Sequence, residues 1–156
     1  MSTFVEILEA GRSGKVTYYS LQKEDKEKNE TQIFQERYGQ DAKYSENYGE
    51  LANILLEIGQ RGAKARYFRH ERNAHALPPN YVHGDGLRLY CLRLTDEIVI
   101  LGGGCFKDTR TAQESAQCRS PFSFMDRVAK ALTAAIRDRT LIVFGVELKG
   151  DMTLII

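Results

Sequence analysis

The chain is short of the features that mark several specialised classes. Its three cysteines, Cys91, Cys105 and Cys118, include no CxxC pair. Neither a disulfide framework nor a zinc knuckle is therefore expected, and the thiols should be reduced. No apolar run approaches the ~20 residues that a membrane helix needs, and STFVEILEAG lacks the basic-then-apolar layout of a signal peptide. The expectation is a soluble, cytoplasmic protein. A GxGxxG fingerprint is missing, because Gly102, Gly103 and Gly104 run straight into Cys105, Phe106 and Lys107, and a Walker loop is missing too. His70, His75 and His83 have no carboxylate or cysteine at a recognised ligand spacing, so neither a metal nor another cofactor is expected.

What is present fits one globular domain over residues 1–156: the chain is 42% hydrophobic and 28% charged. A formal net charge of +1 conceals an asymmetry. From Lys23 to Glu57 there are nine acidic residues against five basic, and from Arg61 to Arg93 seven basic against Glu71 and Asp85. An anionic ligand is expected to choose the basic middle third.

Thr3–Glu9 and Lys15–Leu21 are β-branched and aromatic runs around GRSG, which predicts a hairpin. KEDKEKNE is a solvated charge run, a loop or the exposed start of a helix through Tyr38. Tyr44, Tyr48, Leu51, Leu55 and Ile58 recur at helical spacing and predict a core-facing helix ended by Gly59 and Gly62. ARYFRH alternates basic and aromatic residues and reads as extended, and Asn73–Gly86, with two prolines, reads as a loop. Leu87–Leu94 and Glu97–Cys105 then form a hairpin turning at Thr95 and Asp96, with IVIL as a strand buried on both faces. Thr109–Cys118 suits a short helix or a turn. Ser123 and Asp126 resemble a capping box for a helix with Met125, Val128, Leu132 and Ile136 on its apolar stripe. The C-terminal TLIVFGVEL and MTLII predict a hairpin turning at KGD.

Leu87-Arg88-Leu89-Tyr90, the apolar strand that follows, and Gly104-Cys105-Phe106-Lys107 before DTRTAQES together resemble the RelE/ParE toxin superfamily, closest to its HigB-like branch. The likeness runs from about Tyr44 to Cys118. It implies an α+β fold, a small antiparallel sheet with helices packed on it, to which this chain adds a C-terminal helix and hairpin. It also implies cleavage of messenger RNA, at the ribosome in the ribonuclease members, and a cognate antitoxin partner of helix-turn-helix type.

Ribonucleolytic transfer requires a 2′-hydroxyl deprotonated, a phosphorane stabilised and a 5′-oxygen protonated, which Lys, Arg and His can manage without metal. Arg88 and Lys107, on adjacent strands, are expected to serve one phosphate, and His70 to act as acid or base. Arg66, Tyr67, Arg69, Arg72 and Arg110 supply cations and a stacking surface for RNA. Loss of an exposed strand charge at Arg88 or Lys107 should leave folding intact. The triple glycine either marks a bulge or close helix packing, or bends the strand so that it presents Lys107. Two alternatives stand beside this reading: a catalytically silent RelE-like module that binds a protein partner, and a thiol enzyme centred on Cys105.

Overall fold

The computed structural model describes residues 2–79, 86–107 and 116–156. β1 (Phe4–Ser13) and β2 (Val16–Lys23) form the opening hairpin, α1 (Glu30–Tyr38) follows the charge run, and α2 (Ser45–Arg61) is the core-facing helix. β3 (Arg69–Glu71), β4 (Ala74–Leu77), β5 (Gly86–Thr95) and β6 (Ile98–Lys107) form a meander. α3 (Ala116–Arg137), β7 (Leu141–Phe144), β8 (Glu147–Gly150) and β9 (Thr153–Ile155) complete the chain.

The fold is α+β. Seven strands form one sheet in the order β3-β4-β5-β6-β2-β1-β9, while β7 and β8 pair separately. The expected antiparallel sheet is corrected to a mixed one, because β2 runs parallel to β6 from Thr17 opposite Ile98 to Tyr19 opposite Ile100. Burial on both faces permits this pairing. On one face Phe34 and Tyr38 of α1 and Leu51 and Ile58 of α2 pack on Val99, Leu101 and Leu89. On the other, Phe124, Met125, Val128 and Leu132 of α3 pack on Tyr90, Leu92, Ile98 and Ile100. Full burial of each Leu, Ile or Met here contributes roughly 1.5–3 kcal/mol. Among the described residues no helix is long and apolar enough to cross a membrane.

Several boundaries differ from the sequence reading, each for a local reason. Gly59 does not end α2: a Cβ there would sit 2.3 Å from Ser13 Oγ, so the glycine lets the β1–β2 turn rest on the helix. ARYFRH is not extended throughout, since Ala65–Tyr67 form a 3₁₀ turn before β3. AHAL is a strand rather than loop, its two alanines facing the α3 side. Asp126 lies inside α3, where its carboxylate accepts from both the backbone and side-chain amides of Asn73 at 3.0 Å and so pins the β3–β4 turn. The last hairpin turns at Gly145, which takes a positive φ of 61°. Residues beyond KGD instead join the main sheet as β9, with Ile155 opposite Phe4.

Glu30, the first residue of α1, is 8% exposed. Burial raises its carboxyl pKa above the ordinary value, against the pull of Lys23, Lys26 and Arg37. Folding therefore favours the protonated form, and its contribution is complete at low pH and lost as pH rises through the raised value. Glu30→Gln is expected to raise the melting temperature at pH 8 by ~2–4 °C, the shift that about 1 kcal/mol produces in a chain of this size. At pH 4 the shift should largely vanish. Equal shifts at both pH values would show that ionisation of Glu30 is not the cause.

Candidate functional site

The three glycines decide which way Lys107 points. Between Leu89 opposite Gly104 and Cys91 opposite Leu101, the single Tyr90 faces two residues, Gly102 and Gly103. This is a β-bulge, and one extra residue moves every later side chain of β6 to the opposite face. After it, Arg88 is opposite Cys105 and Gly86 opposite Lys107. Lys107, Arg88 and Tyr90 consequently share the α3 face, in rows about 6.8 Å apart along the strands. Packing is close both at Gly102, within the bulge, and at Gly104, just past it. A Cβ on Gly102 would lie 2.7 Å from Met125 Sδ, and one on Gly104 2.0 Å from the Arg88 carbonyl oxygen.

Strand alternation adds two residues of β3 to the same face. Arg69 is opposite Ala76 and Glu71 opposite Ala74, and the two alanines leave room for longer side chains to pass over them. Arg69 Nε donates to Glu71 Oε1 at 2.8 Å, while its Nη2 is buried without a hydrogen-bond partner among the described residues. Arg88 is 5% exposed, and its Nη1 donates to the Leu87 carbonyl at 3.2 Å. Burial, then the positive charges of Arg69 and Arg88, hold the Lys107 ammonium pKa below its ordinary value, and Glu71 opposes them. Burial and the Glu71 carboxylate push the Tyr90 hydroxyl up to about 12. Three cations, a carboxylate and a phenol thus act on one another across β3, β5 and β6.

His70 is not among them. Its register partner is His75, with ring centroids 5.0 Å apart, on the face that Phe68 shares. His75 Nδ1 accepts from the Arg93 amide at 3.0 Å, and burial lowers its pKa to about 4, so it is neutral at pH 7. Among the described residues no group of three His, Cys, Asp or Glu could hold a metal ion. Tyr67 is 6% exposed, packed in the core beneath α2. Arg66 covers its ring at 4.9 Å, leaving little face for a base to stack on. Arg72 sits in the β3–β4 turn with a positive φ of 54°, its charge acting on Asp126 rather than on the cluster. Arg110 and His83 lie outside the described residues.

Two sequence expectations are overturned. Cys105 and Cys118 are not reduced thiols: they form a disulfide with S–S 2.10 Å that ties the start of α3 to β6. With Cys105 buried and bonded, the thiol-enzyme alternative has no free nucleophile there. Cys91 is the free cysteine, fully buried, and burial raises its thiol pKa far above the ordinary value. Arg88, expected to be an exposed strand charge, is buried against the α3 layer. Glu71 and Tyr90 are the residues that sequence reasoning missed, although spacing of two on a strand, from Arg69 and from Arg88, placed each on the shared face.

Comparison of the chain with protein families, curated proteins and solved structures finds no match.

Proposed function

We propose that the chain is a metal-independent endoribonuclease acting on messenger RNA, the toxin of a toxin–antitoxin-like pair. The observation that carries this reading is the convergence of Arg69, Arg88 and Lys107, from three strands, on one sheet face around Glu71. Glu71 accepts the proton of the ribose 2′-hydroxyl, whose oxygen attacks phosphorus. The guanidinium groups of Arg69 and Arg88 stabilise the added negative charge. Lys107 gives its proton to the departing 5′-oxygen, and a lowered pKa makes it a better donor near neutral pH. The products are a 2′,3′-cyclic phosphate and a free 5′-hydroxyl. His70, on the other face, has no part in this scheme.

The test is incubation of the protein with messenger RNA, free and on ribosomes, with chelator present and with the product ends mapped. Cleavage leaving cyclic phosphate supports the proposal, and intact RNA in every condition overturns it. Burial of Arg88 favours a second reading, a silent module that holds its protein partner through the more open Arg69, Glu71 and Lys107. Under either reading a helix-turn-helix antitoxin should cover that surface with acidic residues. Hydrogen exchange of a co-expressed complex checks this: protection is expected at β3 and the end of β6, and protection confined to β1 and β2 would contradict it.

A further inference from the structure

A cavity of about 360 Å³ opens where β2 and β6 separate. The two strands pair only as far as Tyr19 and Ile100, and the gap between their unpaired continuations, Lys23 on the β2 side and Gly103 and Gly104 on the β6 side, is walled by α1 and the first turns of α3. Lys107, Arg88 and Arg69 are absent from its lining, so this is a second place, distinct from the cationic face described above.

Its charge is opposite to that of the segment that supplies it. Lys23, Lys26 and Arg37 line the cavity with Glu30 as its only carboxylate among the described residues, although acidic residues outnumber basic ones from Lys23 to Glu57. Lys28, from the same charge run, is instead ion-paired with Glu36. Lys23 Nζ stands 3.8 Å from Glu30 Oε1, too distant for a hydrogen bond. The lining is therefore net positive whether or not Glu30 is ionised. A Cβ on Gly103 would come within 3.3 Å of Glu30 Oε1, so glycine keeps this wall open. Ile33, Phe34 and Pro121 supply an apolar side.

We infer that this crevice binds a small phosphate monoester with a flat, apolar body, of nucleoside monophosphate size. Three cations from β2, the following loop and α1 match a dianionic phosphate. The apolar wall takes the remainder of the molecule, and the volume lies within the ~300–1,000 Å³ of small-molecule sites.

Calorimetric titration of the whole chain with AMP tests the inference, with inorganic phosphate, adenosine and a 5′-phosphorylated trinucleotide as further arms. AMP is expected to bind one to one, with phosphate and adenosine each at least tenfold weaker and the trinucleotide no tighter. Lys26→Ala with Arg37→Ala should weaken AMP at least tenfold while the chain stays folded at the titration temperature, since both side chains are exposed. Lys107→Ala should leave AMP affinity unchanged, which separates this site from the proposed ribonuclease centre. Absence of heat with AMP, equal affinity in the double variant, or loss of AMP binding in Lys107→Ala would each overturn the inference. Tighter binding of the trinucleotide would overturn the assignment to a free small molecule.

Discussion

Lys107→Ala is expected to slow RNA cleavage by about 10²–10³, the usual cost of removing a group that meets developing charge in the transition state. Its melting temperature should stay the same or rise slightly. The sign follows from the lowered ammonium pKa: burial and the two arginines disfavour the charged form in the folded chain, so ionised Lys107 detracts from stability at pH values below its folded pKa. Removing it relieves that cost. Lys107→Arg separates the two roles of the side chain. A guanidinium keeps the charge but stays protonated at all working pH values, so binding of RNA should persist, with KM near wild type, while kcat remains low. Recovery of kcat in Lys107→Arg would assign Lys107 to electrostatic stabilisation alone. Full activity in Lys107→Ala would remove it from the site. Arg88→Ala is a poorer probe, because the side chain is buried and its loss would disturb packing as well as chemistry.

Gly104→Ala is expected to destabilise the fold by about 3 kcal/mol, through overpacking against groups that cannot yield. The new Cβ would stand 2.0 Å from the Arg88 carbonyl oxygen and 2.6 Å from a ring carbon of Phe34. Backbone on one side and α1 on the other leave no direction of relief. In a chain of this size the melting temperature should fall by roughly 6–12 °C. Gly145→Ala is the control: its Cβ meets nothing within 4 Å, so only the strain of a positive φ remains, of order 1–2 kcal/mol. Should Gly104→Ala melt with or above Gly145→Ala, the bulge is not held by close packing, and the argument that it orients Lys107 loses its support.

Much of the chain's local structure was legible from side-chain periodicity. The stripe from Tyr48 through Leu51 to Ile58 marked α2, and alternation with a tight turn marked β5 and β6, because helical and strand periods repeat over enough residues to be unambiguous. Charge segregation along the chain was equally plain. Short elements were not. AHAL has too few residues to show a period, and Asp126 three residues after Ser123 satisfies a capping pattern that the helix itself does not use.

The sequence by itself determined the amphipathic helices, the β5–β6 hairpin and the presence of Arg88 and Lys107 on adjacent strands, since each depends on neighbours within a few residues. Only the tertiary structure decided which faces those strands present. One bulge residue at Gly102 and Gly103 reverses the alternation, and no periodicity rule places it. That reversal sets Lys107 beside Arg69 and Glu71, while ordinary strand alternation on β3 sends His70 to the opposite face. Tertiary structure also decided the Cys105–Cys118 bond, between residues thirteen positions apart, and the gathering of Lys23, Lys26 and Arg37 around a cavity in an acidic segment. Charge counts average over every direction a side chain can point, and packing selects one.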